Sequence, residues 1–305
     1  MTNSLSIPSP PISGFQLGPV TIHFYALCII AGILVAWALS ARRWKARGGR
    51  PDQLEGVLVW AIPVGIVGAR IYHVLTHLPD YFGPGRDSWT VFYIWQGGIG
   101  IYGAIAGGAL AAWAACRHYG LRLTSVLDTV APGIAIAQAM GRFGNYFNQE
   151  LFGLPTDLPW ALEIDPAHRP PGYEAFATFH PTFAYESLWN LAVAGVVLWA
   201  GRRFPLGRGK TFWLYVALYL MGRIGTEALR IDPAETILGL RNHQFIAIVM
   251  FLVAVGVFSW LAAVKPGVEP SVRLVPPAAG DESATKTVLR QPKATADTGD
   301  EESAK

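Results

Sequence analysis

Tyr219, Arg223 and Glu227 stand four residues apart, and Arg230 follows three further on. On a helix these four share one stripe. The segment around them is apolar, so the stripe sets two guanidinium groups against one carboxylate. Glu227 can pair with either arginine and leave the other to an anion; a closed structural ion pair is the second reading. A comparable group lies in "GRFGNYFNQE", Gly141–Glu150, where an uncharged stretch meets an arginine, two asparagines, a glutamine and a glutamate. Arg142 and Asn145 are three apart there, and Gly141 and Gly144 permit close backbone approach. A helix end and turn would use the same residue types. The chemistry open to both groups is the gripping of an anion. Guanidinium presents paired donors to phosphate or carboxylate, and a low-dielectric setting strengthens the hold.

Other chemistry is not signalled. The sequence has no H-E-x-x-H, C-x-x-C or G-x-S-x-G, so neither a zinc site nor an exposed serine nucleophile is expected. No metal and no cofactor is implied. His180 and His243 read as interfacial hydrogen-bonding groups or as bases. Cys28 and Cys116 lie in apolar runs and read as packing residues. No basic cluster with interleaved aromatics occurs, so no nucleic-acid partner is expected.

The elements that must carry these groups are membrane spans. Of 305 residues, 52% are hydrophobic and 15% charged, against about 25% charged in a soluble domain. Seven apolar segments approach the ~20 residues a spanning helix needs: 20–41, 54–77, 97–117, 124–142, 183–201, 211–230 and 244–264. The expected fold is therefore an all-α integral membrane protein of seven transmembrane helices. "RRWKARGGR", "CRHYGLR" and "GRRFPLGRGK" follow spans one, three and five and hold most of the basic residues. The positive-inside rule then puts the N-terminus outside and the C-terminus in the cytoplasm. The first Lys or Arg is Arg42, so the first span is expected to stay in the mature protein. Residues 1–264, with the outer loop 143–182, form the membrane domain. Residues 265–305, rich in Pro, Ala, Ser, Thr and mixed charge, are expected to be a disordered cytoplasmic tail.

With that direction fixed, the polar residues gather at one depth. His23 and Tyr25, Arg70, Tyr72 and His73, Gln96 and Tyr102, Arg142 and Asn145, His180, Tyr185 and Glu186, Arg223, Glu227 and Arg230, and His243 and Gln244 all fall toward the outer leaflet. Asp128 and Gln138 are the exceptions. Ionised groups in a bilayer must face protein or a wet cavity. In span three, Gly103 and Gly107 form a small-xxx-small pair for tight packing, while Gly97 and Gly98 shape a loop or a lipid entrance. An anion or lipid transporter with an outer-leaflet arginine site is the alternative function. It would carry polarity through the full thickness or break its helices at mid-depth. A retinal protein is excluded because span seven has no lysine before Lys265.

"GRFGNYFNQELFG" resembles the signature of the prolipoprotein diacylglyceryl transferase family, with Gly141, Arg142, Gly144, Asn145, Asn148, Glu150 and Gly153 on the pattern. "IHFYAL" with Tyr25, "GARIYH" with Arg70, "WQGGIGIYGAIAGG", "HPTFAYES" and "GRIGTEALR" agree in order, so the resemblance covers roughly 15–264. It implies a bacterial inner-membrane enzyme, active at the outer leaflet. Such an enzyme moves the diacylglyceryl group of phosphatidylglycerol to the lipobox cysteine of a prolipoprotein held by its signal peptide. A thioether forms and glycerol 1-phosphate leaves. By the same resemblance, Arg142 and Arg223 hold the departing phosphate, with Asn145 and Tyr25 in support and Glu150 and Glu227 orienting the arginines. Arg70, Arg230, Tyr219, Gly97, Gly98 and Gly153 are expected at the lipid, and His180, Tyr185, Glu186, Asn148 and Gln244 are secondary candidates. Many relatives carry a histidine, proposed as base, where this chain has Tyr102, and often a glutamine where it has Phe183. The general base is therefore open, with Tyr102, Glu150, Glu227, His180 and arginine-assisted ionisation of the thiol as candidates.

Overall fold

The computed structural model describes residues 6–274 except 19 and 84. A hairpin of β1 (Gly14–Leu17) and β2 (Val20–His23) leads into α1 (Phe24–Ala46), and α2 (Pro51–Thr76) and the short α3 (Leu78–Phe82) come next. After two 3-10 turns come α4 (Ile101–His118) and α5 (Leu123–Phe147). β3 (Leu162–Glu163) and β4 (Thr178–Phe179) pair in the loop before α6 (Thr182–Arg203) and α7 (Lys210–Leu229). A hairpin of β5 (Thr236–Ile237) and β6 (Leu240–Arg241) leads into α8 (Asn242–Val264). The protein is largely helical; one hairpin leads into α1, and the β3–β4 and β5–β6 pairs lie between helices.

Five helices, α1, α2, α5, α6 and α8, are long and apolar enough to cross a membrane. α4 and α7 are helices where two further spans are expected, but they are not among the helices long and apolar enough to cross by that measure. α4 is rich in small residues, and α7 carries Lys210, Arg223 and Glu227 along its length. Large apolar side chains point outward, as at Leu34, Val59, Leu188 and Leu252, while Asp128, Asn190 and Glu227 are buried. That inversion suits a lipid surround, where backbone groups must be satisfied within each helix.

Small residues set the closest helix contacts. On α4, Gly103 and Gly107 lie against Gly68 and Val64 of α2, and a Cβ at Gly103 would collide with the Gly68 carbonyl. The small-xxx-small pair is thus a packing face. α1 and α5 meet in the same way, Gly32 against Ala137 and Gly133 against Ala36. α5 also packs on α6 and α7, and α7 on α8.

Several expected boundaries shift. Residues 20–23, assigned to span one, form β2, and α1 runs on to Ala46 through Arg42, Arg43 and Lys45. Charge ends a membrane segment but not a helix. α5 likewise continues past Arg142 to Phe147, so Arg142 and Asn145 are helical, and Asn148 caps the helix. The two deep polar exceptions have structural uses. Asp128 Oδ2 accepts the Gly209 N–H at 2.9 Å and Oδ1 the Phe212 N–H at 2.9 Å, holding the first turn of α7. Gln138 accepts from the Tyr215 hydroxyl.

Residues 265–274, expected within a disordered tail, are instead packed. Val272 is buried with Trp44, Leu54, Cys116, Leu121 and Val126. Arg122 N donates to Val272 O, Leu274 N to Gly120 O, and the buried Lys210 ammonium to Lys265 O and Gly267 O. Backbone pairing and one apolar anchor, invisible in a composition argument, hold this strap. Residues 275–305 of the expected tail lie outside the described residues.

Candidate active site

The two arginine groups come together through Glu186. α5 brings Arg142 and α7 brings Arg223. Glu186, on the first turns of α6, accepts Arg142 Nη2 on Oε2 and Arg223 Nη1 on Oε1 at 3.2 Å. Glu186 is 6% exposed. Two like charges from different helices are thereby held on one carboxylate in a desolvated setting, where charge interactions are strong.

The stripe on α7 extends the group. Arg223 Nη2 pairs with Glu227 Oε2 one turn on, and Arg230 Nη1 stands 3.9 Å from the same oxygen. Glu227 is fully buried. Its other oxygen accepts Arg241 Nε at 3.0 Å from β6, and Arg241 Nη2 reaches Asp232 at 3.0 Å. Arg230 Nε also pairs with Asp232, at 2.6 Å. In this chain of ion pairs, four guanidinium groups meet three carboxylates, Glu186, Glu227 and Asp232, so one positive charge is in excess.

On the α5 side, Arg142 Nη1 donates to Asn145 Oδ1 at 3.3 Å, and Asn145 Nδ2 donates to Glu150 Oε1 at 2.8 Å. Asn148 Nδ2 reaches the same oxygen at 3.4 Å. The Tyr25 ring lies over Gly144, where a Cβ would strike it, and the hydroxyl is within electrostatic reach of Glu150 and Arg142. The spacing of Gly144 and Asn145 is therefore explained: the glycine admits the ring, and the asparagine links arginine to glutamate. Tyr219 shares a small cavity with Glu186, Asn190 and Arg223. Gln244 donates to Ile224 O on α7 at 3.3 Å. Gly153 N donates to His180 O, and a Cβ there would meet His180 at 2.9 Å and the Leu229 carbonyl at 3.0 Å. This glycine lets the loop between α5 and α6 cross between the start of α6 and the end of α7.

Arg70, Gly97, Gly98 and His180 are engaged away from these arginines. All three guanidinium nitrogens of Arg70 are engaged by backbone: Nε by Val91 O at 2.7 Å, Nη1 by Gly97 O and Gly98 O at 2.8 and 2.9 Å, Nη2 by Thr90 O. Arg70 thus folds the loop before α4. Gly97 and Gly98 sit at φ 91° and 71°, and a Cβ at Gly98 would lie 2.6 Å from the Arg70 guanidinium. His180 Nδ1 lies 3.1 Å from the Tyr185 hydroxyl, which also accepts from Trp160. That pair ties the loop before α6 to the first turn of α6. Tyr102 packs near Tyr72, lies within electrostatic reach of Arg223 and Glu227, and its hydroxyl is 3.4 Å from His243 Nδ1. Among the described residues no group of His, Cys, Asp and Glu could hold a metal.

Arg241 and Asp232 are functional neighbours that sequence reasoning misses. Helical spacing cannot find them, because the β5–β6 hairpin folds Arg241 back onto Glu227 and Asp232. Their local signal is weak: an arginine and an aspartate in a loop flanking an arginine-bearing span.

Arg142 and Arg223 thus converge on one buried carboxylate, within a chain of ion pairs that carries one positive charge in excess. The family model described as prolipoprotein diacylglyceryl transferase matches residues 13–260. A phosphatidylglycerol–prolipoprotein diacylglyceryl transferase 2 of Streptomyces coelicolor is 53% identical over 268 residues, 88% of this chain and 84% of that one. The phosphatidylglycerol–prolipoprotein diacylglyceryl transferase of Cutibacterium acnes is 55% identical over 253 residues, 83% and 86% of the two chains. With a family match over most of its length and relatives at about half identity, this chain belongs to the prolipoprotein diacylglyceryl transferase family.

Proposed function

We propose that this membrane enzyme transfers the diacylglyceryl group of phosphatidylglycerol to the thiol of a prolipoprotein's lipobox cysteine, forming a thioether and releasing glycerol 1-phosphate. The observation that carries the reading is the convergence of Arg142 and Arg223 on Glu186. Displacement at the glycerol carbon leaves charge on the departing phosphate, and preorganised guanidinium donors stabilise that charge as it develops. The names of the relatives, which specify phosphatidylglycerol and a prolipoprotein, support the same reaction.

Each residue then has a part. Arg142 and Arg223 take the phosphate, and Asn145 and Tyr25 add hydrogen bonds. Glu150, through Asn145, and Glu227 orient the two arginines. Arg230, Tyr219 and Gly153 border the lipid. Gly97 and Gly98 shape the loop that Arg70 organises, and Asn148 and Gln244 support α5 and α7. α4 and α7 cross the bacterial cytoplasmic membrane with the five more apolar helices. The basic loops after α1, α4 and α6 face the cytoplasm, and the arginines face the outer leaflet, where a signal peptide presents its cysteine. A transport reading gains nothing from Asp128 and Gln138, whose polar atoms are engaged in packing.

The test is chemical. Purified protein is incubated with phosphatidylglycerol and a lipobox peptide, and the peptide is weighed by mass spectrometry. The expected result is a gain of one diacylglyceryl group at cysteine. Bound lipid with no adduct contradicts the reading.

A further inference from the structure

The proposed reaction needs a thiolate, and a free thiol near neutral pH is mostly protonated, with a pKa of about 8.5. The carboxylates beside the arginines are occupied. Glu186 is held by Arg142 and Arg223, and Glu227 by Arg223 and Arg241. Glu150 accepts from Asn145 and Asn148. His180 is engaged with Tyr185 at the start of α6. On the remaining side stands Tyr102. Its α4 is packed on α2, while His243 opens α8, which is packed on α7. The 3.4 Å contact between the Tyr102 hydroxyl and His243 Nδ1 bridges these two helix pairs, with Arg223 and Glu227 within electrostatic reach of Tyr102.

We propose that Tyr102 and His243 form the proton path for the acceptor thiol, with the Tyr102 hydroxyl meeting the thiol and His243 acting through it as a positioning and proton-accepting partner. This rests on the transferase reading. The S–H proton passes to the Tyr102 oxygen while the Tyr102 proton moves to His243 Nδ1, in the tautomer that already carries its proton on Nε2. The sulfur electron pair forms the S–C bond. The C–O bond breaks, and its electron pair leaves on the phosphate of glycerol 1-phosphate. His243 is exposed, so the imidazolium returns its extra proton to water. The charged and titratable groups around the contact are Tyr72 on α2, Arg223 and Glu227 on α7, and Arg241, whose guanidinium is turned to Glu227 and Asp232. Tyrosine alone is a weak proton acceptor near neutrality, having a pKa of about 10. The partner imidazole makes its hydroxyl an effective relay.

The experiment compares His243→Gln and Tyr102→Phe with the parent protein, scoring peptide adduct per minute at pH 7 and at pH 9.5. General-base assistance is commonly worth about 10²–10⁴-fold. At pH 7 each variant is expected to lose at least about 100-fold. At pH 9.5 the medium ionises the thiol, and each variant should come within about threefold of the parent. A loss that persists at pH 9.5 means a structural role and overturns the proposal, as does undiminished activity at pH 7. Tyr102→Phe keeps the ring beside Tyr72 and serves as the second arm if His243→Gln folds poorly. Absence of adduct from the parent protein would overturn the transferase reading itself, a different outcome from either failure.

Discussion

Glu186 holds Arg142 and Arg223 together, so its charge decides how much they repel when no substrate is bound. Glu186→Gln keeps the shape and removes the charge. Breaking one side of a buried pair typically costs about 3–5 kcal/mol, and a fall of that order in unfolding free energy is expected in zwitterionic lipid. Phosphatidylglycerol should restore part of it, because its phosphate supplies the missing negative charge. Equal loss in both lipids would mean that no anion enters between the two arginines. Arg241→Ala should cost less, about 1–3 kcal/mol, since Glu227 keeps Arg223. Chemical denaturation in detergent micelles measures both. At this scale the sequence is informative where residues share a helix. The stripe Tyr219–Arg223–Glu227–Arg230 and the pair Arg142–Asn145 can be read from periodicity. The convergence on Glu186 and the return of Arg241 cannot, because they depend on how three helices and a hairpin pack. Arg70 shows the opposite error: an arginine at a span's outer end signals an anion site in sequence, yet its donors are satisfied by loop carbonyls.

Helices and hairpins supply the rigidity on which those contacts depend. Gly103→Leu would drive a side chain into the Gly68 backbone. Overpacking of this kind costs about 1–3 kcal/mol, and the variant should show a lower melting temperature and a displaced Tyr102. The segment between α7 and α8 has a pH signature of its own. Burial pushes the Asp232 carboxyl up, but the Arg230 hydrogen bond and charge and the Arg241 charge outweigh it, leaving it below the ordinary carboxylate range. A depressed folded-state pKa stabilises above the unfolded value, here 3.8, and that contribution disappears as pH falls through the folded one. The stability gap between the parent protein and Asp232→Asn should therefore be full at pH 6 and shrink below about pH 3.8; a gap independent of pH would contradict the pairing. Helix existence is legible from the apolar runs, whereas helix ends are not. α1 and α5 extend past their apolar segments because a helix continues in water wherever its residues permit it.

The whole molecule is tied together at both ends. The arginine network joins α5, α6, α7 and β6 at one end, and residues 265–274 close the other against α1, α2 and the α4–α5 turn. Ending the chain at Val264 should uncover the Trp44–Leu54–Val126 cluster and strip Lys210 of its two carbonyl acceptors. That truncation is expected to lower thermal stability clearly more than one ending at Leu274. Composition hides this strap, since its Pro, Ser and charged residues are of the same types as those of residues 275–305. The proposed chemistry has two guanidinium groups meeting a lipid phosphate, and the rate of thioether formation by purified Arg142→Ala and Arg223→Ala protein at saturating phosphatidylglycerol tests it most directly. Each variant is expected to remain folded and to lose about 100–1,000-fold in rate, in line with removal of a preorganised charge-stabilising donor. Parent-like turnover by folded Arg223→Ala enzyme would contradict it.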